Sequence, residues 1–533
     1  MFLYDTEPLF VTVSRLQNQN LIRSEDESSH EAKNLFLQTS SSYTARNRAN
    51  MINPENAHLP RTKLLEKIHY LFTEMGLIFV TLSSSAGSGK SSLLQLFAKE
   101  YGKEFTCIYI SFKNRKLTTD DLTKGRVLDS FGSSYNINAI PGKILLMLDD
   151  AQEMYSDKDF WGSLIKVVGP NLKSVWFLIS VTHLLTNNSS TPAELLSTGI
   201  IDRESFLLSD EEAEVFLNLE NQLPPNLRHP ILKHTIIQEC NGLIGALAVS
   251  VIALKTRFYS SDVFPTVSEA EIILAYLSMN TLQQMHRCFG IENSTQLERR
   301  INDTLVECLT AEEPIYYSLL LGDDSLCFAQ LIKLGILTLK DDVVKFSSPI
   351  AQKYVYTKLF PYRSLNLPVN IEELVKLAIS HMSASLLQRL VATSSNLFPK
   401  EAVFQHLFMH GLALSTPTSC YICPQLSKDF SLTKIDGEID FYINGQLNWG
   451  LELLVNGSGI SEHIDRFGRN GKYSLLNVKD YAVIDFRHSQ DGHPFNIRHH
   501  DKRITVFFRT GDFSVCNCVF FGKKEVIEIR LRN

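Results

Sequence analysis

Between Lys63 and Val181 short apolar runs alternate with amphipathic stretches, the pattern of buried parallel strands joined by helices. It predicts strands at 77–82, 106–111, 144–148 and 175–181, with helices at 63–75, 91–101 and about 160–168. Such a run of elements builds an α/β sandwich. The pattern changes at Ser209. Ser209-Asp210-Glu211-Glu212 offers a helix N-cap with an acidic first turn, and an apolar helix restarts after the glycine break at Gly242, which together predict a helical lid. The run 328–337 ends a helix at Gly335, passes through Asp341-Asp342 into the strand-like 343–346, and becomes helical again after Pro349. Helix, hairpin and helix in that order predict a winged helix. Beyond Pro361 the chain starts helical and turns strand-rich, with runs at 437–443, 449–455, 481–486, 504–508, 515–521 and 526–531.

These shifts divide the chain into an N-terminal arm (1–60), a sheet core (61–208), a lid and winged-helix region (209–360) and a separate α+β domain (361–533). The arm is expected to be partly disordered, because 23–56 is rich in Ser, Asn, Glu and Thr without periodic hydrophobicity. A chain of 533 residues is in any case too long for one core.

The hydrophobic share of 44% and charged share of 21% are those of ordinary soluble protein, and the net charge of −6 gives no global signature of nucleic-acid binding. Any surface for nucleic acid must be local. The first residues hold no basic stretch followed by an apolar core, and no apolar run is long enough to span a bilayer, so no conventional signal and no transmembrane segment are expected. The nine cysteines sit mostly singly within apolar runs, as reduced core thiols of an intracellular protein do, cytoplasmic or nuclear. The pairs Cys420 with Cys423 and Cys516 with Cys518 are spaced for no compact zinc module.

Candidate chemistry lies at two places. Ser84-Ser85-Ala86-Gly87-Ser88-Gly89-Lys90-Ser91 joins a predicted strand to a predicted helix. Glycines there let backbone amides turn around phosphates, Lys90 reaches the β and γ oxygens, and the Ser91 hydroxyl ligates magnesium. The stretch reads as a Walker A loop for ATP, formed by Ser85, Ala86, Gly87, Ser88, Gly89, Lys90, Ser91 and Ser92, with Ser84 where the first glycine is usual. The strand Ile144–Leu148 enters Asp149 and Asp150, a Walker B pair in which Asp149 holds Mg2+ with Ser91 and Asp150 orients the attacking water. The polar end of the strand 175–183 is a candidate sensor of the γ-phosphate. No residue is singled out as an arginine finger.

The second place is Gly437-Glu438-Ile439-Asp440-Phe441-Tyr442-Ile443, followed by Asn444-Gly445 and Trp449-Gly450-Leu451-Glu452-Leu453-Leu454. One acid per strand in apolar surroundings suggests that Asp440 and Glu452 converge on a divalent metal that activates water against a phosphodiester. Each acid paired with a nearby base is the other reading. The unit resembles the D-x(n)-E-x-K centre of restriction-endonuclease-like nucleases, with Leu454 where the lysine would stand. Residues 461–467, with His463 as a candidate catalytic group, and Lys472-Tyr473 supply polar side chains nearby.

Together with the upstream ATPase motifs, this unit resembles the Crinkler effectors and the related retrotransposon hot spot proteins. The matching stretches are 85–92, 146–152, 334–337 with 346–349, and above all 437–442, 449–454, 462–467 and 485–487. The resemblance implies a P-loop parallel-sheet ATPase of the signal-transduction type with helical lid and winged helix, joined to an α+β restriction-endonuclease-like domain. That domain would act on DNA, often in the nucleus of a host cell. It also implies that the helix opening at 399–405 brings Glu401 and Gln405 toward the metal. Of the secreted effectors' header only Leu35-Phe36-Leu37 is similar. A switch that works by self-association is a further expectation for ATPases of this kind.

Overall fold

The computed structural model describes residues 56–533 other than 114–115, 185–190, 221, 259–268, 277, 290–296, 311–313, 360–363, 365, 394–397, 418–419, 421, 427–438, 444–445, 458, 477, 490–499, 510, 522 and 533. The arm with Leu35-Phe36-Leu37, Gly437-Glu438 and the Asn444-Gly445 turn lie outside the described residues. The described residues form two compact units, one of 56–80 with 90–180 and one of 81–89 with 181–533.

The first unit begins with helix α1 (Thr62–Thr73) and strand β1 (Phe79–Ser83), whose last residues pass into the second unit. Helix α2 (Lys90–Tyr101) follows, then β2 (Phe105–Ser111), a small hairpin β3 (Arg126–Leu128) and β4 (Ser134–Asn136), β5 (Lys143–Asp149) and β6 (Val175–Val181). Strands β2 and β6 flank β5, both parallel to it. With β7 (Gly199–Ile201) the sheet order is β2-β5-β6-β1-β7. Every residue of β5 after Lys143 is buried, which explains its unbroken apolar run. This is an α/β sheet in which β2, β5 and β6 run parallel. The three-residue β7 was not expected from the sequence, being too short to leave a pattern.

In the second unit, helices α3 (Asp210–Asn218), α4 (Pro230–Cys240) and α5 (Ile244–Phe258) follow the sheet. The Ser209 hydroxyl accepts from Glu212 N–H while Glu212 reaches back to the Ser209 amide, the expected capping box. Asn241 and Gly242, both with positive φ, separate α4 from α5. Helix α6 (Leu297–Thr310), strand β8 (Ile315–Tyr316), helix α7 (Gly322–Lys333), strands β9 (Leu337–Lys340) and β10 (Val343–Phe346) and helix α8 (Pro349–Leu359) come next. Their sheet order is β8-β10-β9, and Asp341 and Asp342 form the hairpin turn with positive φ.

Helices α9 (Ile371–Ser380), α10 (Ala384–Thr393) and α11 (Glu401–Ser415) open the C-terminal part. A mixed sheet follows: β11 (Ile422–Leu426), β12 (Ile439–Ile443), β13 (Trp449–Val455), β14 (Asp480–Ser489), β15 (Arg503–Arg509), β16 (Asp512–Phe520) and β17 (Val526–Arg530), in chain order across the sheet. Only β13–β14 and β14–β15 pair in parallel. Phe404 of α11 stacks on Phe486 of β14 at 4.2 Å, which fixes the helix on one sheet face. Helix α12 (Ile460–Asp465) follows β13.

Candidate functional sites

In the first unit, β5 carries Asp149 to its C-terminal end, where it is 2% exposed. Tyr109 of the neighbouring β2 donates its hydroxyl hydrogen to Asp149 Oδ2 at 2.8 Å. Asp150 follows in a left-handed backbone conformation, φ 54°, an uncommon geometry outside glycine. Its carboxylate accepts from the Ser111 hydroxyl at 3.0 Å and pairs with Lys113 at 2.9 Å. Lys90, the first residue of α2, is pushed down to about 8 by burial, against the pull of Asp149 and Asp150 and with a push from Lys113. A lysine, two acids and their supports thus converge at the end of one strand. Tyr109, Ser111 and Lys113 were not singled out in the sequence, since only the pairing of β2 with β5 brings them to Asp149 and Asp150.

In the second unit, the loop before Lys90 holds two left-handed glycines, Gly87 at φ 73° and Gly89 at φ 88°. Ser84 has no positive φ, and its amide donates to Val181 O, so a serine is tolerated where the first glycine is usual. Gly245 N–H at the start of α5 donates to Gly87 O at 2.8 Å. A Cβ on Gly87 would stand 2.6 Å from Cys288 Sγ, and one on Gly335 3.1 Å from Ala86 O. The loop is therefore held between α5, the turn near Cys288 and the bend joining α7 to β9. Neither Gly245 nor Cys288 carried any sequence signal for this role. Thr182 and His183 at the end of β6 hydrogen-bond each other at 3.0 Å.

In the C-terminal sheet, the register Phe441↔Leu451 sets Asp440 next to Glu452. Asp440 is 9% and Glu452 1% exposed. Burial first, then Glu452, holds the Asp440 carboxyl well above the usual carboxylate range. Asp440 accepts from Leu453 N–H at 2.6 Å and from the Gln405 amide at 2.7 Å, and Gln405 also donates to Glu401 at 3.1 Å. Burial raises Glu401 as well, with His463 and Arg466 opposing and Glu452 adding to the rise. Glu452 is bonded by Tyr473 through one oxygen and by His463, at 2.5 Å, and Arg466, at 3.4 Å, through the other. Both of Glu452's oxygens are met by side-chain donors, and no group of three or more His, Cys, Asp or Glu side chains disposed for a metal is found among the described residues. Leu454 is 3% exposed and contributes no charge.

Among the paired cysteines, Cys423 on β11 stands opposite Tyr442 of β12, and Cys516 and Cys518 on β16 have sulfurs 3.8 Å apart. No disulfide forms among the described residues. None of the described helices is long and apolar enough to cross a membrane.

No family model and no curated protein matches the chain. Solved structures similar to it include the Orc1 protein of Aeropyrum pernix in complex with DNA, 13% identical over 57% of this chain and 94% of that one, TM-score 0.32. A Walker-type ATPase of Pyrococcus abyssi is also 13% identical, over 56% of this chain and 96% of that one, TM-score 0.32. A RuvB variant from Thermotoga maritima is 12% identical over 56% and 95%, TM-score 0.32.

Proposed function

We propose that this chain binds and hydrolyses ATP with Mg2+ at its glycine-rich loop, and that its C-terminal sheet acts on DNA phosphodiesters, in the manner of Crinkler-type proteins. The observation that carries the nucleotide reading is Lys90 at the first residue of α2, buried and facing the charges of Asp149 and Asp150 at the end of β5. In this reading residues 85–92 wrap the phosphates, Ser91 and Asp149 hold Mg2+, and Asp150, fixed by Ser111 and Lys113, orients water. The observation that supports phosphodiester chemistry is the Asp440–Glu452 adjacency, with His463 bonded to Glu452. A divalent cation held by those acids would relieve their repulsion and lower the pKa of attacking water, with His463 placed to move a proton.

A second reading is favoured by Leu454 and by the donors that already meet Glu452: a nuclease fold that binds nucleic acid without cutting it, switched by ATP. Plasmid nicking with Mg2+, with and without ATP, separates the two. Cleavage by wild type that falls at least a hundredfold in Asp440→Ala and Glu452→Ala supports the first; equal nicking by all three removes the site. Retention of DNA on a gel with no product supports the second. For the nucleotide site, Lys90→Ala is expected to abolish ATP turnover, and turnover equal to wild type would refute it.

A further inference from the structure

Parallel neighbours in register share a sheet face, so Leu454 on β13, Asp485 on β14 and Thr505 on β15 stand on the face that also carries Glu452. Asp485 is fully buried, a costly place for a carboxylate unless it is paired. Its Oδ2 accepts from Arg487 Nε and from Arg503 Nη2, each at 2.6 Å, while Oδ1 has no partner. Two guanidinium groups against one carboxylate leave one positive charge in excess. The Arg503 side chain is only 8% exposed, whereas that of Arg487 is 33% exposed.

Arg487 is also tied to the acid pair through the segment that follows β13. A Cβ on Gly457, which has φ 67°, would fall 1.7 Å from Arg487 Nη2, so the guanidinium rests directly on that backbone. A Cβ on Gly459 would lie 3.6 Å from the His463 ring, and His463 bonds Glu452. Two glycines two positions apart therefore carry the arginine on one side and the histidine of the acid centre on the other.

We infer that Arg487, held by Asp485 with Arg503 behind it, binds a backbone phosphate of a polynucleotide beside the Asp440–Glu452 pair, and is the cation that Leu454 does not supply. The inference rests on the reading of the C-terminal domain as one that acts on nucleic acid. A guanidinium whose Nε is fixed by a carboxylate keeps its two Nη groups, and their fork matches two phosphate oxygens. Asp485 and Arg503 are positioning residues, aligning that fork without touching substrate.

The test is binding of a short DNA duplex to the full chain in EDTA, read by fluorescence anisotropy over a salt series. Arg487→Leu is expected to weaken binding about tenfold and to reduce the steepness of log K against log salt by about one, the signature of one lost phosphate contact. Arg487→Lys keeps the charge and is expected to retain the wild-type slope with weaker binding. Asp485→Asn, which frees the guanidinium, is expected to weaken binding while leaving the slope intact. Melting curves identify any variant that fails to fold, and Arg487→Gln then replaces Arg487→Leu. Wild-type affinity and slope in the folded neutral variant of Arg487, with wild type binding, overturn the assignment to Arg487. No salt-sensitive binding by wild type overturns the nucleic-acid reading and this inference with it.

Discussion

Burial pushes Lys90 down to about 8, and the sign of its effect follows from which state holds the proton. Unliganded, its ammonium is pushed down to about 8 by burial, so above that pH the site loses its charge. Triphosphate oxygens within reach favour the charged form and raise the same group, so binding takes up a proton in the range above 8. The apparent Kd for ATP is expected to hold steady from pH 6.5 to 7.5 and to rise by up to about tenfold per unit above about pH 8. Calorimetry in buffers of different ionisation enthalpy checks this, by showing proton uptake at pH 8.5 that disappears in Lys90→Arg. The neighbours that set this value, Asp149 and Asp150, were legible in the sequence because they close an apolar strand. Tyr109 and Lys113, which hold them, were not, since nothing in the sequence states which strand lies beside β5.

At the scale of elements, the C-terminal sheet depends on a close helix crossing. Gly411 of α11 lies against α9 so tightly that a Cβ there would be 2.1 Å from the Ala378 carbonyl oxygen. No side-chain rotation relieves a contact between two backbones, so the helices must part or tilt. Gly411→Ala is expected to destabilise the chain by about 1–3 kcal/mol, read from the urea midpoint, even though alanine favours an isolated helix. A midpoint unchanged or raised would show that the crossing is looser than drawn. The same elements show what a sequence conceals. Strands β12 to β17 announce themselves as apolar runs, and Asp440 and Glu452 stand out as acids within two of them. The parallel pairing of β13 with β14 that sets Asp485 beside Leu454 depends on a crossover through α12, and pairing partners leave no local pattern. Tyr473 reaches Glu452 across twenty-one residues of chain for the same reason. Ser84 shows the converse: the missing glycine matters little because the backbone there is not left-handed, which only φ reveals.

At the scale of the whole chain, a nucleotide bound as proposed would meet the elements packed on the glycine-rich loop. Within the second unit its Gly87 carbonyl is engaged by the Gly245 amide at the start of α5, and Gly335, at the bend into β9, faces Ala86 and Ser85. A loop that turns its amides toward phosphates turns its carbonyls outward, so the bond from Gly245 and the wrap around an anion draw on the same backbone conformation. If nucleotide binds two arrangements of lid and wing with different affinity, the loop is where that difference is transmitted. Gly245→Val tests this, because its Cβ would stand 2.5 Å from Gly87 O and must displace either α5 or the loop. The variant is expected to bind ATP at least tenfold more weakly while Lys90, Asp149 and Asp150 stay in place. In hydrogen exchange with wild type, amides at 243–248 and 334–337 are expected to change protection on adding ATP and Mg2+, and in Gly245→Val that response is lost. Equal ATP affinity in the two proteins, with no change in exchange at either segment, would leave the loop a passive cradle uncoupled from α5 and the bend into β9.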